Sequence, residues 1–206
     1  MRRALVLLSG GLDSTVALWW AANAGYEPVA LTFRYHGRPR GEARACRDII
    51  AASPSAESHE VDLPFLKEAA DLDATRFHGA PPGYIPFRNA LFYAAASFHA
   101  QALGCCVVVG GHNKDDAALY PDAARGFFDD LQGVLDRGAW RGGDVVVPKL
   151  VMPLLELDRE DVLALGERLG APLASTWSCY EDADAPCGAC PACARRGRAG
   201  VQVGLT

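Results

Sequence analysis

Short hydrophobic runs, each long enough for one strand, alternate along the chain with longer segments whose apolar positions recur at helical spacing. Such alternation is typical of an α/β protein with a parallel sheet. We therefore predict a Rossmann-like, doubly wound parallel sheet. The predicted strands span residues 5–8, 28–33, 58–63, 105–109 and 145–147. The predicted helices span residues 16–22, 42–52, 88–103, 127–135 and 159–169, the last with Asp158 as its N-cap.

The turn after the first strand is rich in glycine and hydroxyl groups. Residues 9–15 read Ser-Gly-Gly-Leu-Asp-Ser-Thr and lead from a strand into a helix. Glycines let the backbone approach a phosphate closely, and the first N–H groups of a helix attract anions. Asp13 is either the cap of this helix or a carboxylate that faces a metal–phosphate group. The alternative is an ordinary βα turn, since the chain has neither the G-x-x-x-x-G-K-[ST] nor the G-x-G-x-x-G motif.

Polar segments follow two other predicted strands at the edge of the sheet where open α/β sheets bind ligands. The basic, aromatic segment 34–40 follows the second strand, and the polar cluster 110–116 follows the fourth. Each alone also fits a solvated loop, but together they favour a binding crevice. Asp115 or Asp116 could hold a metal or receive a proton, and Asn113 could read the edge of a heterocycle.

A segment rich in glycine and proline, residues 75–86, precedes the long alanine-rich helix and is predicted to be a loop that could act as a lid. It leads to Arg88 at the helix start, where the helix dipole disfavours a cation. We interpret Arg88 as a residue that binds an anionic ligand. The alternative is a surface arginine paired with a nearby carboxylate.

Size and charge narrow the possible classes of protein. The chain has 206 residues, 50% of them hydrophobic, which predicts one α/β domain at 1–172 with a small lobe at 173–206. Its net charge of −5 argues against a broad nucleic-acid-binding surface. The first apolar run is too short for a signal peptide or a membrane span, so we expect a cytoplasmic protein without a membrane partner.

Four of the seven cysteines lie within fifteen residues of one another. Their spacing, C-x7-C-x2-C-x2-C, brings the sulfurs around one ion, and four thiolates complete the tetrahedral shell of a structural Zn²⁺. An iron–sulfur cluster and a set of redox thiols are the alternatives. Cys105 and Cys106 lie in an apolar run and are predicted to be unreactive core thiols. The predicted metal ligands are Cys179, Cys187, Cys190 and Cys193.

The motif at residues 9–15 resembles the PP-loop of ATP pyrophosphatases, which have an adenine nucleotide alpha hydrolase-like fold. It is followed in order by Arg88-Asn89, by Gly-x-Asn at 111–113, by Tyr-Pro-Asp at 120–122 and by the cysteine-rich tail. In that order the motifs resemble the 7-cyano-7-deazaguanine synthase family over nearly the whole chain. The resemblance implies an AMP-producing ligase for 7-carboxy-7-deazaguanine. ATP activates the carboxylate as an acyl-adenylate, ammonia gives the amide, and a second ATP activates the amide oxygen so that loss of AMP leaves the nitrile.

The resemblance also implies roles for individual residues of this sequence. It implies ATP, Mg²⁺ and Zn²⁺ as cofactors, zinc ligation by the four cysteines named above, and a homodimer. The implied catalytic residues are Asp13, Ser14, Arg88 and Asn113. The implied substrate-binding residues are Arg88, Asn89, Asn113, Asp116, Tyr120 and Asp122. The implied ATP-binding residues are Leu8, Ser9, Gly10, Gly11, Leu12, Asp13, Ser14, Thr15, Val16, Ala17 and Leu18.

Three positions depart from the pattern of the family. Arg34 stands where the family has aspartate, Ala123 stands where cysteine follows Tyr-Pro-Asp, and Arg159 replaces a lysine. Arginine keeps the charge of lysine but has a different geometry. Because all three changes are expected on the rim of the active site, adenylation is better supported than the identity of the substrate.

Three alternative functions stay open. An enzyme of this kind could pass the activated deazapurine to an amine other than ammonia, either a small molecule or a protein N-terminus. The chain could also be an inactive nucleotide-binding partner protein. A sulfur-transfer enzyme of the PP-loop class would need a reactive cysteine near the crevice and a basic tRNA surface. Cys46 is a poor candidate for that cysteine, and the net charge argues against direct nucleic-acid binding.

Overall fold

The computed structural model describes residues 2–35, 38–55, 57–64, 79, 84–140, 142 and 145–198. Five parallel strands form one sheet in the order β3-β2-β1-β4-β5. The first strand therefore lies in the middle, and the chain winds outward from it in both directions. The predicted parallel, doubly wound sheet is confirmed. The strands are β1 Arg2–Leu7, β2 Tyr26–Arg34, β3 Glu57–Asp62, β4 Cys105–Val109 and β5 Lys149–Val151.

Helices cover both faces of this sheet because successive residues of a strand point to opposite sides. On β1, Val6 packs into the core layer that contains α1, α2 and α6, whereas Leu5 packs into the layer that contains α3 and α5. The helices of the described residues are α1 Leu12–Asn23, α2 Arg40–Ala52, α3 Arg88–Ala102, α4 Lys114–Leu119, α5 Arg125–Gly138, α6 Arg159–Arg168 and α7 Pro191–Arg198. Two short 3-10 turns span Pro121–Ala123 and Leu173–Ser175.

The last strand is not where the sequence predicts it. Residues 145–147 form no strand, and two of these three valines are exposed. Strand β5 begins at Lys149, after Pro148, and pairs with β4. Gln132 of α5 holds this register, since its side chain accepts from the Leu150 N–H at 2.7 Å and donates to the Pro148 carbonyl at 3.4 Å. A β-branched run predicts strand propensity but does not show which residues have a neighbouring strand to pair with.

The other predicted elements are present, with ends that differ by at most four residues. Most of the predicted loop at 75–86 lies outside the described residues. In the part of the chain that the structure describes, no helix is both long enough and apolar enough to cross a bilayer. The division of the chain between residues 172 and 173 stays a prediction.

Candidate active site

The turn between β1 and α1 has the form of an anion site. Gly11 is the N-cap of α1, and no side chain caps this helix, so its first N–H groups are available to a ligand. Ser9 Oγ lies 3.0 Å from Ser14 Oγ and accepts a hydrogen bond from the Gly11 N–H at 3.1 Å. Gly10 has a φ of +98°, and a Cβ there would lie 2.6 Å from the Glu42 carbonyl oxygen. Only glycine fits that position. We call residues 9–14 the phosphate-binding turn.

Asp13 does not cap α1, and its carboxylate faces the turn that follows β4. Asp13 Oδ1 accepts a hydrogen bond from Asn113 Nδ2 at 2.9 Å. Asn113 is fully buried and is the N-cap of α4, where its Oδ1 accepts from the N–H groups of Asp115 and Asp116. Both polar atoms of this amide are therefore engaged within the protein. The arrangement suits a residue that orients Asp13. Contact between Asn113 and the edge of a heterocycle stays a prediction.

The charges around Asp13 favour a bound cation. Burial and the neighbouring Asp116 carboxylate raise the pKa of Asp13, while the Arg159 guanidinium, 3.9 Å from Asp13 Oδ2, opposes that rise. A divalent cation at the two carboxylates would offset their desolvation and their mutual repulsion. Mg²⁺ is commonly held by one or two carboxylates together with phosphate oxygens, so Asp13 and Asp116 fit this ion.

A cleft of about 310 Å³ opens at the carboxyl edge of the sheet, beside the phosphate-binding turn. Its volume is within the range of small-molecule sites. The rings of Phe33 and Phe92 stack with their centroids 4.6 Å apart and form an apolar part of its wall. The polar and ionisable residues that line it are Ser9, Asp13, Ser14, Thr32, Tyr35, Arg38, Glu42, Arg88, Asn89, Tyr93, His112 and Asp116.

Arg38 holds the ends of β1 and β2 together beside this cleft. Its side chain is 5% exposed and donates to the Ser9 carbonyl at 2.7 Å and to the Phe33 carbonyl at 3.0 Å. It also forms an ion pair with Glu42, at 3.0 Å between Nε and Oε1. Burial raises the pKa of Glu42, although the positive charges of Arg38 and Arg88 oppose the rise. Arg38 therefore shapes the cleft, a role that the sequence did not reveal.

The predicted basic segment 34–40 does not face the cleft as a unit, and its residues 36 and 37 lie outside the described residues. Arg34 forms an exposed ion pair with Asp62 of β3, and Arg40 forms one with Asp182. Arg34 turns away from the cleft because neighbouring residues of a strand point to opposite sides. The departure from the family pattern at Arg34 therefore lies outside the described lining of the cleft, and not on its rim as expected from the sequence.

Arg88 begins α3, and its side chain forms no ion pair with any described carboxylate. It lines the first cleft and also a second one, of about 150 Å³, which adjoins the first. Phe87, the residue before it, has a φ of +56°, a left-handed conformation that costs a residue with a Cβ about 1–2 kcal/mol. Backbone strain of this kind is concentrated at functional sites. The strain and the unpaired guanidinium both support the interpretation of Arg88 as an anion-binding residue.

The second cleft brings together other residues that the sequence assigned to the substrate. Asn89 donates through its side-chain amide to the Asp122 carbonyl at 3.0 Å and through its N–H to the Asp122 carboxylate at 3.4 Å. Tyr120 and Asp116 line the same cleft. Ala123 lines it too, so the departure from the family pattern at this position lies within the site.

His112 lines both clefts, although it is not among the site residues predicted from the sequence. The centroid of its ring lies 5.3 Å from that of Phe128 and 5.8 Å from that of Tyr93. Burial and the nearby Arg88 lower the pKa of His112 to about 4, so the imidazole is neutral at neutral pH. A neutral imidazole offers a ligand one donor and one acceptor. The sequence showed a histidine in the cluster 110–116 but not that its ring packs between two aromatic rings.

Six of the predicted ATP-binding residues do not line either cleft within the described chain. Three of the six, Val16, Ala17 and Leu18, are fully buried in the core, because only one side of the first turn of a helix can meet a ligand. A direct part for these residues in ATP binding stays a prediction. The six residues are Gly10, Leu12, Thr15, Val16, Ala17 and Leu18.

The four predicted metal ligands converge on one point. Their sulfurs all lie within 4.8 Å of one another, and the Cys187–Cys193 and Cys179–Cys190 sulfur distances are 4.0 Å. Sulfurs bound at about 2.3 Å to a tetrahedral Zn²⁺ are separated by about 3.8 Å, so the four cysteines fit this ion. Backbone N–H groups donate to three of the sulfurs, those of Cys179, Cys187 and Cys190, at 3.3–3.4 Å and help to fix their positions.

Solved structures share this fold at low sequence identity. NMN synthetase from Francisella tularensis is 20% identical with a TM-score of 0.53, over 83% of this chain and 63% of that chain. A 4-thiouridine synthetase, solved as an RNA complex with bound ATP, is 18% identical with a TM-score of 0.56, over 98% of this chain and 50% of that chain. At these identities the likeness shows the fold alone, and it confirms the predicted fold class.

Sequence relatives are similar over nearly their full length. The 7-cyano-7-deazaguanine synthase of Nitratiruptor sp. is 35% identical over 204 residues, which are 94% of this chain and 91% of that protein. The enzyme of the same name from Thermosynechococcus vestitus is 36% identical over 219 residues, 99% of this chain and 93% of that protein. The sequence model described as "Queuosine biosynthesis protein QueC" matches residues 3–204. This chain belongs to the QueC family.

Proposed function

We propose that this chain is an ATP-dependent ligase that converts 7-carboxy-7-deazaguanine and ammonia into 7-cyano-7-deazaguanine. Its relatives bear the name of that synthase. The observation that carries the proposal is one cleft that is lined both by the phosphate-binding turn and by Arg88, which forms no ion pair with a described carboxylate. A nucleotide whose phosphates occupy the turn would meet a carboxylate held by this arginine.

The first half of the proposed reaction forms an amide. An oxygen of the substrate carboxylate attacks the α-phosphorus of ATP, and the bond to pyrophosphate breaks to give an acyl-adenylate. The N–H groups at the start of α1 and the hydroxyls of Ser9 and Ser14 stabilise the departing pyrophosphate. Mg²⁺, held by Asp13 and Asp116, would supply charge neutralisation there. Ammonia then attacks the carbonyl carbon, AMP leaves, and the nitrogen loses a proton.

The second half converts the amide into the nitrile. The amide oxygen attacks the α-phosphorus of a second ATP, pyrophosphate leaves, and the nitrogen loses one proton. Loss of the remaining N–H proton and cleavage of the bond between carbon and the adenylate oxygen then release AMP. The carboxylate and the amide are both poor electrophiles. In each half, one of their oxygens leaves as part of AMP, which is a good leaving group. The neutral His112 and Asn89 line both clefts and would border the reacting group in both halves.

The described lining of the two clefts contains no cysteine, so it offers no thiol for sulfur transfer. Cys46 is buried, with its sulfur 3.7 Å from the Leu8 carbonyl oxygen. Burial raises the pKa of Cys105 to about 11, so this thiol stays protonated. Sulfur transfer would need a reactive thiol in the cleft, and we therefore favour the ligase. We also propose that the four-cysteine cluster holds a structural Zn²⁺.

The test is product analysis with purified protein, ATP, Mg²⁺, ¹⁵N-ammonium and 7-carboxy-7-deazaguanine. We expect the ¹⁵N-labelled nitrile, with AMP and pyrophosphate, by mass spectrometry. An amide that is not converted further would reject the synthase and favour an enzyme that uses another amine. Absence of pyrophosphate release with any deazapurine would favour an inactive nucleotide-binding protein.

A further inference from the structure

The C-terminal segment that contains the four cysteines contacts the phosphate-binding turn directly. We call residues 173–198 the cysteine lobe. The Trp177 N–H donates to the Gly10 carbonyl at 2.9 Å. The Trp177 Nε1–H donates to the carbonyl of Cys179, one of the four cluster residues, also at 2.9 Å. Trp177 therefore joins the phosphate-binding turn to the metal cluster through two hydrogen bonds.

Close packing fixes the position of Trp177. Its ring occupies the space above Gly41 in α2, where a Cβ would lie 2.4 Å from the ring atoms. The residue before it, Thr176, is held by the buried Arg196 of α7, which donates to the Thr176 carbonyl at 2.7 Å and to its Oγ1 at 2.9 Å. Because the segment is packed on both sides, a movement of the lobe moves the phosphate-binding turn or α2.

The lobe also contacts the start of α2. Asp182 Oδ1 accepts from the Arg40 N–H at 2.8 Å and from Arg40 Nε at 3.2 Å. The N-cap residue of α2 is a proline and forms no side-chain cap, so Asp182 satisfies an N–H at the end of this helix. The Asp184 carbonyl accepts from Arg44 Nη2 at 2.6 Å, one turn further along the helix.

We propose that the metal-bound cysteine lobe sets the ATP affinity of this chain, with Trp177 and Asp182 as the positioning residues through which it acts. Trp177 fixes Gly10, whose left-handed backbone shapes the phosphate-binding turn. Asp182 fixes the first turn of α2, which carries Glu42 and begins two residues after Arg38. Glu42 and Arg38 are both part of the cleft wall. The inference rests on the proposed ATP-dependent function and gives the lobe a role beyond its own stability.

The metal is needed because the lobe has little regular structure of its own. Between its 3-10 turn and α7, the described residues 176–190 contain no helix or strand. One ion bound by Cys179, Cys187, Cys190 and Cys193 joins the end of the Trp177 segment to the start of α7. Loss of the ion frees Cys179 to move, and Trp177, which is hydrogen-bonded to the Cys179 carbonyl, then loses its fixed position.

The first test compares Trp177→Phe with Trp20→Phe. Both residues pack in the same core cluster, but Trp20 lies in the last two turns of α1. We expect Trp177→Phe to keep its zinc and to bind ATP roughly tenfold more weakly by isothermal titration calorimetry, the effect of about one lost hydrogen bond. Trp20→Phe should bind ATP as the unaltered protein does. Equal ATP affinity of the two variants would overturn the role of Trp177.

The second test compares two substitutions on the exposed loop of the lobe. Asp182→Ala removes the acceptor for the Arg40 N–H and should weaken ATP binding roughly threefold, without loss of zinc. Asp184→Ala removes the same charge two residues away but keeps the backbone carbonyl that Arg44 uses, so ATP binding should not change. Equal effects of the two substitutions would show that charge alone, and not the contact with α2, is responsible.

The third test removes the metal with a chelator and follows hydrogen exchange by mass spectrometry. We expect faster exchange in residues 8–16 and 38–46, no change in residues 105–109, and recovery when zinc is restored. ATP affinity should fall and recover in parallel. Unchanged exchange and affinity without the metal would refute the proposal. Faster exchange in residues 105–109 as well would indicate that metal removal unfolds the sheet. The comparison of Asp182→Ala with Asp184→Ala then tests the proposal instead, because both variants should keep their zinc and their fold. All three tests measure ATP binding, so a missing nitrile product would contradict only the proposed reaction.

Discussion

The two candidate sites of this molecule obtain their geometry in opposite ways. The phosphate-binding turn follows β1, the middle strand of the sheet, and buried residues of two core layers surround it. The cysteine cluster lies in a lobe whose described part has one helix of eight residues, and Cys187 is exposed. The fold shapes the first site before a nucleotide binds. We expect the second site to depend on the zinc ion that we propose it holds.

This difference determines what a mutation removes. At the phosphate-binding turn, loss of a ligand-binding side chain removes chemistry and leaves the sheet intact. At the cysteine cluster, we expect loss of a cysteine to remove the proposed ion and the structure that the ion would hold together. Each site therefore has its own expected pattern of activity, metal content and stability, and the following variants test these patterns.

Cys190→Ser should have the largest effect. We expect loss of the metal and a fall of roughly 4 kcal/mol or more in the free energy of unfolding, because loss of a structural metal is among the most destabilising changes. Metal analysis and urea unfolding measure both. Cys106→Ser is the matched control, since Cys106 lies in β4 and its hydrogen bond to the Arg3 carbonyl suits a hydroxyl as well. A fully folded, zinc-loaded Cys190→Ser protein would show that the ligand set is wrong.

Asp13→Ala should remove activity and leave the fold and the zinc content of the cysteine cluster unchanged. We expect pyrophosphate release to slow by at least about a hundredfold, because the carboxylate that faces the departing group and its cation is lost. Asp115→Ala serves as the control, since Asp115 is exposed and lines neither cleft. Undiminished turnover of Asp13→Ala in a pyrophosphate-release assay would exclude Asp13 from the mechanism.

Two arginine variants compare the cleft with the surface beside it. Arg88→Ala should lower kcat/KM for the deazapurine carboxylate roughly thirtyfold, within the range for a lost hydrogen bond to a charged group. Arg34→Ala should leave kcat/KM and the unfolding midpoint unchanged, since its ion pair with Asp62 is exposed. Steady-state kinetics with varied deazapurine measures both variants. A larger loss from Arg34→Ala would place the substrate near β3 and contradict the assigned cleft.

His112 should make the stability of the fold sensitive to acid. Its pKa is about 4 in the folded chain and has an ordinary value of 6.5 when exposed. As the pH falls below 6.5 the unfolded chain binds a proton that the folded chain does not, so stability is lost between about pH 6.5 and 4. At pH 5 this loss amounts to about 2 kcal/mol and is absent in His112→Gln. Urea unfolding at pH 7.5 and 5 tests the difference, and identical pH dependence of both proteins would show that His112 is solvated.

Features with local signals could be predicted from the sequence. The strand at 105–109 and the N-cap at Asp158, which accepts from the Asp161 N–H at 2.9 Å, are where the sequence places them. Turn glycines, caps and hydrophobic runs each act over a few residues, so they are visible in a short window of sequence. The phosphate-binding turn and the convergence of the four cysteines follow from signals of this kind.

Features that depend on distant partners could not be predicted. Arg34 and Arg38 are both arginines of the segment after β2, and the sequence does not distinguish them. Only Arg38 reaches the Ser9 carbonyl, which lies in the turn after β1. The low pKa of His112 depends on burial of its ring, which packs beside aromatic rings from α3 and α5, and on the charge of Arg88. The register of β5 depends on a glutamine in α5. In each case the deciding contact joins residues that no sequence window contains together.

The hydrogen bond from Trp177 to Gly10 also sets an order of events during protein synthesis. The ribosome releases β1, the glycine turn and α1 long before it reaches Trp177 and the cysteines that follow. Until then the Gly10 carbonyl lacks its partner, and the nascent chain holds no completed phosphate-binding turn. We therefore expect competence to bind ATP to arise late in translation, together with metal uptake. A chain truncated before residue 177 should have a sheet but no functional nucleotide site.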